Sequence, residues 1–485
     1  MLTKVLPKGC NDRFNQRLER GSQQWLSPKY VRKDTQVMMN QLHAGFARVN
    51  ITPMLGIGLA GYYQEREADG VLDELEINAL ALQCGEDKAL LLSIDHLGLE
   101  SDVTTDYRKH IEEVTGVPME GIYIHSTHTH TAPYLRRDKD DMLIKEYDRM
   151  VYHKMADVSR MALEDLKPAK MGWGIGEAPN IAFVRRFRMK DGSVKTNPGV
   201  DNPDILHPIG DVDERVTVLR FDRKGAESIA YVNFANHADV VGGNKISADW
   251  PGFLRRTVEQ SIDNVKCIFY NGIEGDVNHV NVHPTGGYLN DMFMDFDGVA
   301  RGYLHARYLG RVIAGGVLQA YDKVKYIEVD SLKCKNHVFQ LPSNMPRPEE
   351  MEEAHRINDL HLAGRDDELP YEGMMLTTKV AEAARKVRLE HGPESFDMEL
   401  IGIAIGEVAL VGIPGEPFTG VGRGIKETEG YELVIPTCLT NGKLGYFPMK
   451  DAYDEGGYEA GCSNFKRGVA ELIVEESRKL VQALK

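Results

Sequence analysis

In the stretch IYIHSTHTHTAPY, residues 122–134, three histidines (His125, His128 and His130) fall within six positions of a 485-residue chain that holds only 16. A short apolar run precedes them and a proline follows closely, the pattern of a strand ending in a loop. If the segment stays extended, His128 and His130 share one face and Thr127 and Thr129 the other. An HxH pair at a strand end gives one metal two imidazoles, or one ligand and a neighbouring acid–base group. The competing reading is a hydrogen-bonding cluster. His125 is out of register with the pair and reads as structural.

Zinc takes three or four ligands, so other segments must contribute. NFANHAD places His237 at the end of an alternating strand. GIEGDVNHVN offers Glu274, Asp276 and His279, and IPGEPF sets Glu416 between a strand and a helix start. Each has a plain alternative: a packed strand-end histidine, or a glutamate complementing a helix dipole. Asp249, in SADWPG, either caps the following helix or orients a ligand histidine. Asp276, in the loop beside the presumed site, reads first as a general base or a ligand-orienting group, with a helix cap or a turn brace as the alternative.

The elements that must position these residues are mixed. FARVNITP, INALALQC, KALLLSID and GIYIHS read as strands, as do ERVTVLRFD, SIAYVNFANH and VKCIFYNG. Residues 103–115 read as a helix. Residues 141–166 place Leu143, Tyr147, Met150, Val151, Met155, Val158 and Met161 at helical spacing, a core stripe. WPGFLRRTVEQSI starts a helix with proline in its first turn. MELIGIAIGEVALVGIPGE reads as a hairpin turning at Gly406–Glu407, and residues 464–483 as a final amphipathic helix. Residues 1–44 form a polar N-terminal arm. The body spans 45–485, with a helical insertion at about 346–391 punctuated by Pro346, Pro348 and Pro370. Hairpins interleave with helices without regular βα alternation, so the expected class is α/β with mixed sheets flanked by helices. The glycine cluster GVGRG at 420–424 lacks the strand and acid of a dinucleotide motif.

The formal charge is −15. That excludes the basic face a nucleic-acid partner needs and gives no reason to bind anionic membranes. No stretch approaches the ~18 apolar residues of a membrane span, and the N-terminus carries no apolar core of a signal peptide. Six cysteines without CxxC spacing read as free thiols in a reducing compartment. The expectation is a cytoplasmic protein.

In order along the chain, THTHTAP (127–133), NFANHADVV, GDVNHVN (275–281), IPGEPFTG (413–420) and LGYFPMKDAYDEGGYEAG (444–461) resemble the segments of the neutral ceramidase family. The likeness runs from about Gly45 to Gly461. It implies that family's catalytic-domain fold, without its immunoglobulin-like C-terminal domain. It also implies one zinc held by His128, His237, Glu416 and Tyr446. By the same resemblance His130 lies beside the metal as a proton shuttle, and Arg185 and Tyr458 face the substrate carbonyl. The chain departs from the family at Val184, where an asparagine is expected, and at Asn278, where the family has a serine.

The resemblance makes that serine a nucleophile or a substrate-contacting group; an amide cannot serve as a nucleophile, so water activated by the metal must attack, with Asn278 left to orient substrate. The expectation is therefore a zinc-dependent hydrolase of an amide, ester or lactone in a small polar molecule rather than ceramide, possible as a homo-oligomer. The alternatives are a hydrolase of sugar conjugates, a non-catalytic zinc-stabilised binding protein, and a two-metal phosphoesterase drawing on His125, Asp95, His96 and His279.

Overall fold

The computed structural model describes residues 41–485 apart from 136, 138–139, 285–293, 296–298 and 301. The expected N-terminal arm falls on residues outside the described part, except for its last few, which already belong to the first strand. The principal strands of the first sheet are β1 (Leu42–Asn50), β2 (Glu76–Cys84), β3 (Asp87–Ile94), β4 (Ile122–Ser126), β5 (Lys167–Glu177), β6 (Arg215–Arg223), β7 (Ser228–Phe234) and β8 (Val265–Asn271). They lie in the order β8-β7-β6-β5-β1-β2-β3-β4. The pairs β7–β8 and β3–β4 are parallel and the others antiparallel. A second sheet holds β9 (Leu332–Pro342), β10 (Ser395–Ile405), β11 (Val408–Gly412) and β12 (Leu433–Thr437), with β11 and β12 parallel.

Period-two alternation explains how the two sheets stack. In β7, Ile229 and Tyr231 join one core with Ile401, Ile403, Leu410 and Ile435 of the second sheet. Their neighbours Ala230, Val232 and Phe234 face the other way, onto helices α3 (Asp249–Ser261) and α4 (Tyr303–Tyr321). Likewise Ile77, Leu90 and Leu92 pack on α1 (Ser101–Thr115) and α2 (Met142–Glu164). The outer face of the second sheet is covered by α7 (Thr419–Lys426) and α9 (Val469–Ala483). The result is four layers, helix, sheet, sheet, helix, as expected of mixed sheets flanked by helices.

Between β9 and β10 the chain leaves the second sheet to form α5 (Met351–Leu362) and α6 (Gly373–Leu389), a helical pair with its own small core of Met351, Ile357, Leu369 and Val380. A short helix α8 (Tyr458–Cys462) packs against α6. Two expectations shift. The final helix starts at Val469, after Gly468 with φ 97°, because Phe465 is held in a bridge to Ser343. Met161 of the α2 stripe is 43% exposed, because the buried face at this end of the helix runs through Val158 and Ala162.

The first sheet coils until its edge strands meet. Ser93 Oγ of β3 donates to Phe269 O of β8 at 2.6 Å, and Asn271 N donates to His125 Nε2 of β4 at 2.9 Å. This seam brings the ends of β4, β7 and β8 together, beside the end of β11.

Candidate metal centre

Each segment named from the sequence leaves a strand at that meeting point. The expected extended geometry of the THTH segment does not hold. β4 ends at Ser126, and His128 sits at φ 75°, a left-handed conformation uncommon for a residue with a Cβ. Its N–H donates to His96 O and its Nδ1 to Leu97 O at 2.7 Å. The kink still brings the two imidazoles together, His128 Nε2 lying 3.4 Å from His130 Nε2. Thr129 turns away and donates to Ser247 O.

The three imidazoles are oriented alike. His128 Nδ1 donates to Leu97 O, His130 Nδ1 to Gly61 O at 3.0 Å, and His237 Nδ1 to Val277 O at 2.9 Å. Each Nε2 lone pair is left facing the same space. Gly61, at φ 107°, is required there, since a Cβ would lie 2.7 Å from the His130 ring. Glu416 Oε2 is 3.5 Å from His128 Nε2 and 3.4 Å from His237 Nε2, and this buried oxygen has no hydrogen-bond partner. Tyr446 is placed by backbone pairing, Glu416 opposite Tyr446 in two short parallel strands, and its OH is 3.5 Å from His237 Nε2.

Lone pairs thus converge from three imidazoles, a carboxylate and a phenol. A proton relieves one pair of acceptors at a time, whereas a divalent cation satisfies the whole set. The nitrogen and oxygen donors suit zinc. Ligand-capable atoms of His128, His130 and His237, and of His128, His237, Glu274 and Glu416, lie within 4.8 Å of one another. Glu274 belongs to an outer ring, because its Oε2 meets His237 on the far nitrogen, Nδ1, at 2.6 Å. A carboxylate in that place orients the imidazole, and Cys438 Sγ donates to its other oxygen at 3.1 Å.

Charges follow this packing. Burial opposes charge on His237, but Glu274 outweighs it and pushes the imidazole up to about 10. Burial, helped by His128, holds His130 well below its ordinary value. Burial also opposes ionisation of Glu416, but His128 and His237 outweigh it and hold the carboxyl well below the usual range.

Arg185 lies against the cluster, with Nη1 3.3 Å from His237 Nε2, Nη2 donating to Gly275 O, Nε 2.7 Å from Glu459 Oε1, and the guanidinium 5.3 Å from the Tyr446 ring centre. Tyr458 packs edge-on to Tyr446 with centroids 5.7 Å apart, and its OH is 3.3 Å from that of Tyr63. Neither Glu459 nor Tyr63 was singled out from the sequence: Tyr63 lies in no motif, and Glu459 lies inside the 444–461 segment directly after Tyr458.

The side chains of Asp276 and Asn278 are not among the converging groups, and their hydrogen bonds go to neighbouring segments. The Asp276 carboxylate accepts from Thr419 N (2.7 Å) and Thr419 Oγ1 (3.1 Å) at the start of α7. Asn278 donates to Asn197 Oδ1 and accepts from Val280 N. Asp249 braces its loop and helix start, accepting from Val241 N and Trp250 N. The residues considered for a second metal are engaged elsewhere. Asp95 takes a two-pronged pair from Arg255, His125 ties the β4–β8 seam, His96 meets Gly98, and His279 meets Asp239 at 3.1 Å.

No family model and no curated protein sequence matches the chain, whereas solved structures do. The neutral ceramidase from Pseudomonas aeruginosa aligns with a TM-score of 0.67 at 15% identity, over 92% of this chain and 75% of its own. A ceramidase complexed with C2 aligns at 0.66 and 16% identity, over 92% and 76%. The chain has a divergent form of the neutral ceramidase fold. Among the described residues no helix is long and apolar enough to cross a membrane, and no disulfide joins the five described cysteines.

Proposed function

We propose that this chain is a zinc-dependent hydrolase of an amide bond, with esters or lactones next, in a small polar substrate. The observation that carries the reading is the buried convergence of lone pairs around the partnerless Glu416 Oε2. His128, His237 and Glu416 would hold the ion, with Tyr446 as a fourth ligand. Zinc supplies Lewis-acid polarisation of a carbonyl and acidifies water.

The chain's own groups do the rest. His130, fixed through Nδ1 on Gly61 O, presents Nε2 to take a proton from the attacking water and return it to the leaving nitrogen. The neutral tautomer this requires is favoured by its burial. Arg185, clamped by Glu459 and Gly275 O, is a fixed cation beside developing negative charge. Burial pushes the Tyr63 and Tyr458 phenols up, so the pair retains its protons and can donate to an oxyanion. Polar side chains of Tyr63, Arg66 and His361 near the cluster support a polar substrate over a lipid.

A panel of N-acyl amines and matching esters, assayed with zinc-loaded protein, tests this reading. Turnover is expected to vanish on chelation, return with zinc, and fall about 10²-fold or more in Glu416→Gln. Hydrolysis indifferent to chelation and to that substitution would contradict it.

A further inference from the structure

We propose that Arg388, on the inserted helix α6, receives an anionic group of the substrate at the mouth of the metal site, so that the bond cleaved belongs to a molecule bearing a carboxylate or phosphate. The inference deepens the hydrolase reading and rests on it for the word substrate.

The placement of α6 carries the argument. Arg385 fastens it to the site wall, donating from Nε to Gly461 O at 3.0 Å in α8 and from Nη1 to Asn344 O at 2.7 Å. α8 begins with Tyr458, whose ring packs on the candidate ligand Tyr446. The inserted helices therefore reach the site directly, and His361 of α5 stacks edge-on to Tyr63 at 6.1 Å.

Arg388 lies three residues beyond Arg385, on the same side of the helix. Its Nη2 donates to the neutral side chain of Asn464, and among the described residues no carboxylate comes within ion-pair distance of it. The nearest carboxylate influence is Glu100, which is shared with Lys443 at 3.9 Å. Arg388 is exposed, yet its surroundings are crowded enough to push its pKa down, and its charge is felt at the Tyr63 phenol.

A guanidinium open to solvent, with one neutral partner on Nη2 and with Nε and Nη1 uncommitted, is suited to a planar or tetrahedral oxyanion. From it Tyr63 and Tyr458 lead inward by a 3.3 Å contact to Tyr446 and the histidines. A substrate lying along those two tyrosines would place its anion on Arg388 and its carbonyl at the cluster.

The test measures binding, by calorimetry on zinc-loaded protein, of 4-acetamidobutyrate, its neutral primary amide and 3-acetamidopropylphosphonate. Wild type is expected to prefer an anionic probe over the neutral one by about tenfold, and the stronger of the two anions distinguishes carboxylate from phosphate. Arg388→Gln is expected to abolish the preference and Arg388→Lys to keep part of it. Asn464→Asp leaves the arginine in place but gives it a carboxylate partner, and is expected to abolish the preference as well. Equal binding of charged and neutral probes by wild type overturns the inference. So does a preference that survives in Arg388→Gln or Asn464→Asp, since the metal alone would then be selecting the anion. An Arg388-dependent preference without turnover on any amide sinks the hydrolase reading alone. Zinc-dependent cleavage of neutral and anionic amides at equal rates, unchanged in Arg388→Gln, sinks the anion site alone.

Discussion

Orientation of an imidazole is decided at its far nitrogen. His128, His130 and His237 each spend Nδ1–H on a backbone carbonyl, and His237 adds Glu274 at 2.6 Å. Glu274→Gln replaces that acceptor with an amide that can still accept but carries no charge. Zinc affinity is then expected to fall by about 10- to 100-fold while the fold persists, as competition with a chromophoric chelator would measure. An unchanged affinity would show that the carbonyls alone fix the ring. At this scale the sequence was informative where residue type is scarce. Two histidines one residue apart, a strand-end histidine and a PGE glutamate all stood out, and the structure brings them together. Tyr446 and Arg185 stood out only through resemblance, because single tyrosines and arginines have no telling spacing. Glu274 was a candidate from its loop, but which nitrogen it meets depends on the fold of two strands 30 residues apart.

The loop after β8 works as an element rather than as a set of ligands. Gly275 lies flat against the Glu416 segment, where a Cβ would fall 2.3 Å from Glu416 O, and Asp276 clasps the start of α7. Burial pushes the Asp276 carboxyl up to about 6. With a folded value above the unfolded one, the native state holds the proton more tightly between about pH 4 and 6. Stability is therefore lost as pH rises through that window, by at most about 3 kcal/mol, and stays lower above it. Asp276→Asn keeps an acceptor for Thr419 N without ionising. Its unfolding temperature relative to wild type is expected to be higher at pH 8 than at pH 5, and a difference independent of pH would refute this. The strands themselves were legible from alternation, as was the Gly406–Glu407 hairpin. The bend at His128 was not, because φ 75° there is imposed by His96 O and Leu97 O, which belong to the loop after another strand.

Across the whole molecule the candidate ligands come from both layers of the sandwich. His128 and His237 follow β4 and β7 of the first sheet, and Glu416 and Tyr446 follow β11 and β12 of the second. An ion held by all four would fasten the sheets together at one end. Zinc should then stabilise the entire fold, by about 2.7 kcal/mol at a hundredfold excess over its dissociation constant. The helix and strand inventory pointed to layered mixed sheets. Which sheet faces which was not legible, since alternation tells that Tyr231 and Ala230 part company but not that Tyr231 shares a core with Ile403. The measurement that bears most directly on the account is zinc content by mass spectrometry of wild type and His237→Ala, each equilibrated in dilute zinc buffer. One zinc per chain in wild type and its loss in the variant is the predicted result. Wild type that takes up no zinc, or equal zinc in both proteins, would contradict it.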